Sequence, residues 1–565
     1  MIGHRSLMLV IVLAFCVCSA PAQQPNEPNA ELRDKAFKVI ESVAGELGTL
    51  QSPENRARLG ANVFDSLWDH DEKRARALLP LIEDGIKAGL QNADSRDPKD
   101  QHAVLVFFKL RADTVERLAK HDGELAFAFF KATQISSDKR LSYYLAGQER
   151  NLELSLARQI ATQSPELALQ VGRKALAHGL ADDVLLLLRR LSRKQKEHAL
   201  VFYKEILAQL KNSDLNAWPT RAFVQNLVTS YRPPVADEST FRELTNLLMT
   251  EALARGCGKK LDGENEEVEF CRWMGSIVPA IAEYDPARSA RLKYWVGGEQ
   301  GWERRSSEGY SELVDTAEDG TVDEYLALAE KYPQLQDEFY SRAAWTAKTS
   351  GDLERARKIA GYISNSSRQQ GMLAQIEADQ KSTSMDEQQL ADVQKRAREI
   401  ARAEQQVSFL LSVANAVNQK AGLKLLDQAS EIVETMKPGA EQTRFQIAVA
   451  TIYCLQKSDR GLDNMESLVP KLNDLVDAAV KLDGYDTDYL REGEWNMSAN
   501  GSTGELLTGL AQNAGYFAWC DFDRAITLAG RFGRPEIRLM AQLKLAQGIL
   551  AGPPRRILVD YSHRF

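Results

Sequence analysis

The residues best suited to chemistry lie in a long irregular stretch, residues 482–504, that shows no helical periodicity. Carboxylates there could hydrogen-bond a polar ligand, and the aromatic faces are of the kind that stack on sugar rings. Long loops of this type are uncommon in compact helical proteins and are often functional. The alternative is an ordered surface excursion or a flexible linker. The side chains that make this stretch a candidate ligand loop are Tyr485, Asp486, Asp488, Tyr489, Glu494 and Trp495.

A second candidate is the segment from Tyr294 to Trp302, in which Trp295 and Trp302 flank three glycines. The glycines interrupt helical periodicity between two long helical regions, so this segment also marks a predicted domain boundary. The same structural alternatives apply to it as to the loop at 482–504.

The sequence predicts no catalytic residue, cofactor or metal ligand. The six histidines beyond residue 22 do not pair at metal-ligand spacing, and no H-E-x-x-H motif is present. There is no glycine-rich phosphate loop and no G-x-S-x-G elbow. The aspartates of the candidate loop lack the ligand spacing of an EF-hand. Acidic residues are abundant, so a carboxylate pair of the kind that glycosidases use stays open as an alternative.

Four cysteines follow residue 22, and two of them suit a disulfide. Cys257 and Cys271 bracket a charged loop, and in an oxidising compartment such a bridge is worth ~3 kcal/mol in the chain-entropy model. Cys454 and Cys520 lie in apolar segments, where a free cysteine behaves as a small buried hydrophobe. No C-x-x-C motif supports zinc binding or thioredoxin-like chemistry.

Residues 1–22 have the pattern of a secretory signal peptide: a short basic start, an apolar run and a small-x-small site before Gln23. The 14 apolar or small residues of the run fall short of the ~20 that a membrane-spanning helix needs. A lipoprotein signal fits loosely, because Phe15 and Val17 stand where a small residue is expected. The sequence therefore predicts export to a periplasmic or extracellular space, with no integral membrane segment after cleavage.

The charge balance disfavours nucleic acid as a partner. The whole chain carries 71 basic and 79 acidic residues, for a net charge of −8. A mildly acidic surface is a poor match for nucleic acid or an anionic membrane.

Apolar residues recur at helical spacing in nearly every segment, as at Ala199, Phe202, Ile206 and Leu210. Alternation typical of strands is nearly absent, which predicts an all-α chain. One turn recurs weakly: an aspartate is followed three and four residues later by Arg and Ala, and the preceding helix carries a tryptophan near its end. The three copies begin at Asp71, Asp352 and Asp521, after Trp68, Trp345 and Trp519.

Residues 343–356 resemble the turn between the paired helices of a tetratricopeptide-type repeat. The resemblance implies an α-solenoid, a right-handed superhelix of antiparallel helical hairpins with a concave binding face, here with irregular loop insertions. The copies are spaced irregularly, so the resemblance implies an architecture and no binding residues. The whole chain also resembles exported bacterial helical-repeat proteins that have no assigned function.

These patterns divide the chain into a signal peptide (1–22), an N-terminal helical-repeat region (23–296), a C-terminal one with tetratricopeptide-like hairpins (303–552) and a tail (553–565).

The predicted function is an extracytoplasmic scaffold or adaptor that binds a protein or peptide. The alternative is a carbohydrate-binding or carbohydrate-active envelope protein that uses loop 482–504. Some lytic transglycosylases carry an α-superhelical region similar in style, but no segment here resembles their catalytic domain. A structural envelope protein with no discrete ligand, and the oligomeric state, also stay open.

Overall fold

The computed structural model describes residues 30–92, 98–134, 142–177, 179–231, 236–261, 263, 265–295, 320–380, 385–485, 487–498 and 501–554. The predicted signal peptide, Trp302 and Asp486 lie outside the described residues.

The first half of the chain folds into helices joined by short turns, with a 3₁₀ turn at Leu47–Thr49. The α-helices are α1 (Ala30–Glu46), α2 (Pro53–Leu67), α3 (Glu72–Ala77), α4 (Leu79–Asn92), α5 (Pro98–His121), α6 (Gly123–Ala132), α7 (Ser142–Ile160), α8 (Pro165–Ala177), α9 (Asp182–Lys194), α10 (Lys196–Lys211), α11 (Trp218–Ser230), α12 (Glu238–Ala254), α13 (Glu266–Ile281) and α14 (Pro286–Arg291).

The second half is also helical, with a 3₁₀ turn at Pro333–Leu335 and one short hairpin, β1 (Leu490–Arg491) and β2 (Glu494–Trp495). Its α-helices are α15 (Val322–Lys331), α16 (Gln336–Ser350), α17 (Leu353–Ala360), α18 (Ser366–Gln380), α19 (Glu387–Glu399), α20 (Ala403–Ala416), α21 (Gln419–Thr435), α22 (Ala440–Leu455), α23 (Arg460–Lys481), α24 (Ser502–Gln512), α25 (Ala514–Cys520), α26 (Phe522–Ala529) and α27 (Pro535–Leu550).

The fold is an all-α solenoid with irregular insertions. Consecutive helices pack against each other, as in the pairs α7–α8, α9–α10, α20–α21 and α22–α23. The apolar periodicity that predicts helices also selects the buried face: Ala199, Phe202, Ile206 and Leu210 are all buried on α10. The hand of the superhelix stays a prediction.

The recurring aspartate turn has the same geometry in its three copies. In each, the aspartate caps the next helix by accepting the backbone N–H three residues later, and the alanine after that arginine is buried. The capping distances are 3.0 Å for Asp71 to Arg74, Asp352 to Arg355 and Asp521 to Arg524. The buried alanines are Ala75, Ala356 and Ala525. In the second copy Gly351 ends α16 at φ +94°, a left-handed conformation that glycine adopts without strain.

Among the described residues, the buried apolar side chains form three clusters. The first joins residues 36–292 with residues 447–549, the second covers 390–453, and the third covers 325–376. Helix α22 belongs to two of them, because Phe445 and Ile452 face the second cluster whereas Ile447 and Cys454 face the first. The third cluster, which we call the central module (residues 322–380), has a core of its own.

The first and last described helices pack against each other. Helix α1 lies along α27, and α2 also contacts α27. Polar contacts reinforce this closure: Arg538 on α27 reaches Glu46 at 3.5 Å, and Gln547 donates to the Ser66 hydroxyl at 3.0 Å. One hydrophobic cluster therefore contains residues from both sides of the predicted boundary at 297–302, although the division itself stays a prediction.

Candidate functional site

The loop after α23 turns back on itself as a tight antiparallel hairpin. Leu490 pairs with Trp495 and Arg491 with Glu494. The turn between the strands uses Glu492 and Gly493, both at positive φ (48° and 78°). Such a turn keeps the hairpin short and directs the side chains of its second strand into the protein, where Glu494 and Trp495 are buried.

Glu494 is held by donors from the beginning of the chain. Its carboxylate accepts the backbone N–H of Gln51 at 2.6 Å and that of Ser52 at 3.1 Å. The side-chain amide of Asn55 donates to the same carboxylate at 3.1 Å. A buried carboxylate needs this number of donors, because it loses its hydration when only 7% of the residue stays exposed.

Trp495 is 2% exposed and fills the space beside this carboxylate. Its backbone N–H donates to Glu536 on α27 at 2.6 Å, and its carbonyl accepts from Asn55 at 3.0 Å. Its ring stacks on Tyr489, with centroids 5.5 Å apart. Arg534 balances the buried Glu536 carboxylate at 2.6 Å. Trp495 thus contacts both the start and the end of the helical array.

A second buried carboxylate, Glu54 on α2, completes the contact. It pairs with Arg58 at 2.8 Å and with Arg491 of the hairpin, and it accepts from the Ser498 hydroxyl at 2.5 Å. We call residues 489–498 the clasp, since they join the beginning of α2 to the beginning of α27.

The structure therefore divides the candidate ligand loop in two. Tyr489, Glu494 and Trp495 belong to the clasp and are buried, so their faces are occupied by protein. Tyr485 is 87% exposed, and Asp488 is also exposed. The surface that this loop offers to a ligand is thus its outer end around Tyr485.

Trp295 of the second candidate segment also contacts protein. Its indole N–H lies 3.1 Å from the carbonyl of Cys257 and 3.2 Å from that of Lys259. A disulfide joins Cys257 to Cys271, with Cα atoms 5.3 Å apart. The backbone carbonyl of Trp295 lies 2.1 Å from where a Cβ would stand on Gly275, so α13 needs glycine at this contact. Trp295 thus packs on the disulfide-closed loop.

The central module has exposed aromatic side chains that no sequence motif marks as a site. Trp345 on α16 is 47% exposed, and Tyr362 after α17 is 50% exposed. The Tyr362 ring lies 5.5 Å from that of Tyr340, whose hydroxyl accepts from Gln336 at 3.2 Å. Lys348 lies over the Trp345 ring at 4.7 Å. We call Tyr340, Trp345 and Tyr362 together the aromatic patch. Tyr340 and Trp345 are five residues apart on α16, so they lie about 140° apart around the helix and the patch spans two of its faces.

A polar cleft of about 290 Å³ lies beside this patch, between the start of α16 and the start of α18. Asp337 fixes its far wall by accepting the backbone N–H groups of Ser364 at 2.7 Å and Asn365 at 2.8 Å. Glu338 and Arg368 form an ion pair at 2.8 Å across it. Trp345 follows Glu338 by two helical turns and so lies on the same face of α16.

The other two copies of the repeated turn use their tryptophan differently. Trp68 is half-buried, stacked on His121 at 5.0 Å and covered by Arg76 at 4.8 Å. Trp519 is half-buried, and its indole donates to the carbonyl of Gly548 at 3.0 Å. Contacts with neighbouring helices make Trp68 and Trp519 less exposed than Trp345. The repeated sequence by itself therefore does not predict which tryptophan is exposed.

Within the described residues, no group of three or more His, Cys, Asp or Glu side chains is placed to hold a metal ion. Over the same part of the chain, no helix combines the length and apolar character needed to cross a membrane.

Neither a protein-family model nor a curated protein matches the chain. Among solved structures it is similar to a "circular tandem repeat protein with novel repeat topology and enhanced subunit contact surfaces". The two share 11% sequence identity over 92% of this chain and 97% of that one, with a TM-score of 0.17.

Proposed function

We propose that the protein is an extracytoplasmic helical-repeat scaffold that binds a protein or peptide partner through the aromatic patch and the adjoining polar cleft. The observation that carries the proposal is the exposure of Trp345, which is 47% exposed, whereas the tryptophans of the other two copies are half-buried. Exposed aromatic residues beside a polar cleft have the composition of an interface centre, which is enriched in Trp, Tyr and Arg.

The cleft supplies groups suited to a peptide. Glu338 and Arg368 offer one charge of each sign, and the cleft also contains the amide of Gln336. A peptide backbone presents both donors and acceptors, and a mixed polar wall can pair with both. The aromatic patch would contact apolar side chains of the same partner.

The extracytoplasmic location is supported by the signal-peptide pattern at 1–22 and by the Cys257–Cys271 disulfide. Structural disulfides persist in oxidising compartments and are rare in the cytosol.

Cross-linked affinity capture from the envelope fraction of the native cell, read by mass spectrometry, tests the proposal. We expect one recurrent protein at near-stoichiometric amount, and at least a ~10-fold loss of it with Trp345→Ala, which corresponds to ~1.4 kcal/mol. The matched control is Trp218→Ala, because Trp218 is 73% exposed but lies on α11, outside the central module. Equal capture by the wild type and Trp345→Ala would show that the patch is not the binding surface.

The carbohydrate alternative has weaker support. Of the three aromatic residues proposed for stacking, Tyr489 and Trp495 are buried in the clasp and Tyr485 is exposed. Tyr485→Ala tests the alternative without disturbing the clasp. Loss of binding to wall polysaccharide in that variant would favour a glycan function for the outer end of the loop.

A further inference from the structure

Two thiols that lie far apart in sequence meet between α22 and α25. Cys454 is near the end of α22, and Cys520 is the last residue of α25. Neither takes part in the Cys257–Cys271 disulfide, and the two helices that carry them pack against each other. The Cys520 thiol lies 3.5 Å from the carbonyl of Ser458, which is four residues after Cys454. From sequence alone both are predicted to be small buried hydrophobes, because nothing local indicates that two cysteines 66 residues apart (520−454) lie on neighbouring helices.

The two thiols differ in access. Cys454 is 5% exposed, and its Sγ lies only 2.4 Å from where a Cβ on Gly461 would stand, so α23 closes that side. Cys520 is half-buried, and its thiol lies 3.5 Å from the carbonyl of Ser458, to which it donates. A reagent in solution therefore reaches Cys520 first and reaches Cys454 only through it.

The surroundings also make the two thiols chemically unequal. Interaction with Cys454 lowers the pKa of Cys520, whereas interaction with Cys520 and burial raise the pKa of Cys454. The nearby Asp459 and Asp521 oppose the thiolate of Cys520, and Arg524 favours it. Since the thiolate is the nucleophile in exchange, the more accessible sulfur is also the more reactive one.

We propose that Cys454 and Cys520 are a reversible dithiol–disulfide pair that is oxidised by exchange with a disulfide, either a small molecule or an oxidised dithiol oxidoreductase. The Cys520 thiolate attacks the donor disulfide, forms a mixed disulfide and releases one thiolate. Cys454 then loses its proton to solvent and attacks the Cys520 sulfur, which releases the second thiolate. Two thiols of the protein are oxidised, and one donor disulfide is reduced to two thiols.

The cross-link would join α22 to the last layer of the fold. Helix α25 packs on α27, and the Trp519 indole beside Cys520 donates to Gly548 on that helix. Oxidation would therefore tie α22, which lies between two hydrophobic clusters, to the helices that close the array.

The experiment is peptide mapping of the purified full chain after equilibration in glutathione buffers of increasing oxidised fraction. After acid quenching, alkylation and trypsin digestion, Cys454 lies in the peptide 445–457 and Cys520 in the peptide 492–524. We expect these two peptides to become disulfide-linked as oxidised glutathione increases. Native treatment with dithiothreitol should separate them before it opens Cys257–Cys271, because both of those cysteines are fully buried.

Two variants separate the steps. In Cys454→Ser, Cys520 should accumulate a mixed disulfide with glutathione, because no second thiol resolves it. In Cys520→Ser, Cys454 should stay unmodified, since it is buried. Absence of the linked peptide at every glutathione ratio would overturn the proposal. Equal glutathione adducts on Cys520 in the wild type and in Cys454→Ser would overturn it as well.

Discussion

At the scale of single residues, the clasp shows how buried carboxylates can be tolerated in a helical protein. Glu494 and Glu54 are each nearly inaccessible, and each is surrounded by donors from more than one segment. A buried ion pair gives little net stability compared with apolar residues, but removing one partner leaves an uncompensated charge or donor. The clasp residues are therefore expected to fix the position of the loop more than to add stability overall.

Glu494→Gln tests this expectation. The substitution keeps the size of the side chain but turns one carboxylate oxygen into an amide donor that faces other donors. We therefore expect the free energy of unfolding to fall by ~2–4 kcal/mol. The measurement is hydrogen exchange at the Gln51 and Ser52 amides, which donate to this carboxylate.

The matched control is Glu505→Gln on α24. Glu505 pairs with Arg444 at 2.9 Å, but the two side chains are 63% and 55% exposed. Loss of this ion pair should therefore lower the free energy of unfolding by less than ~1 kcal/mol. Similar effects of the two substitutions would contradict a structural role for the Glu494 contacts.

The clasp residues were selected from the sequence as ligand-binding candidates for a physical reason. A carboxylate and an aromatic ring can contact a bound sugar or a buried backbone equally well. The partners of Glu494 lie far earlier in the chain: Ser52 precedes it by 442 residues and Asn55 by 439 residues. A single sequence gives no signal for contacts at that separation, so the loop could be located but its role could not.

At the scale of elements, the repeated turn combines a helix cap with a contact to an earlier helix. The arginine of each copy pairs with a carboxylate on a preceding helix: Arg74 with Glu41 at 3.0 Å, Arg524 with Asp463 at 2.7 Å, and Arg355 with Asp323. The same four-residue pattern therefore ends one helix, starts the next and fixes both against a neighbour.

Asp521→Ala should cost about 1 kcal/mol, because the N–H of Arg524 loses its capping partner at the start of α26. The measurement is hydrogen exchange across residues 522–529 as a function of urea. The control is Asp477→Ala, at an exposed position inside α23, which removes an aspartate without removing a cap. It should change the opening free energy obtained from hydrogen exchange by less than ~0.5 kcal/mol. If exchange in α26 responds equally to both, the cap contributes nothing.

The turn was readable from sequence because capping is local, with donor and acceptor three residues apart. Residues 384–387 also match a capping-box pattern, and Ser384 lies outside the described residues. In the structure α19 is capped by Asp386, with Gln389 completing the box. Several residues there can cap, and which one does depends on where the helix packs.

At the scale of the whole molecule, the helical array is closed by contacts between its two ends. Lys35 on α1 pairs with Asp523 on α26 at 2.7 Å, and the clasp joins α2 to α27. The all-α class and the hairpin architecture follow from periodicity and turn residues, both of which are local. Closure depends on the summed geometry of all the intervening helices, and for that reason no local pattern in the sequence predicts it.

Closure predicts that a destabilising substitution in α1, at the start of the array, also destabilises α27 at its end. Ile40 on α1 is fully buried in the cluster that includes α27, so Ile40→Ala should cost ~2–5 kcal/mol through the lost methyl groups and the cavity left behind. We expect faster hydrogen exchange in residues 535–550 as well as in residues 30–46, because α27 loses the packing of α1. Lys38→Ala, an exposed position on the same helix, is the control and should leave both segments unchanged. Exchange that rises only in residues 30–46 would mean that α1 rests on α27 without stabilising it, and closure would then depend on the clasp and on the contacts of α2.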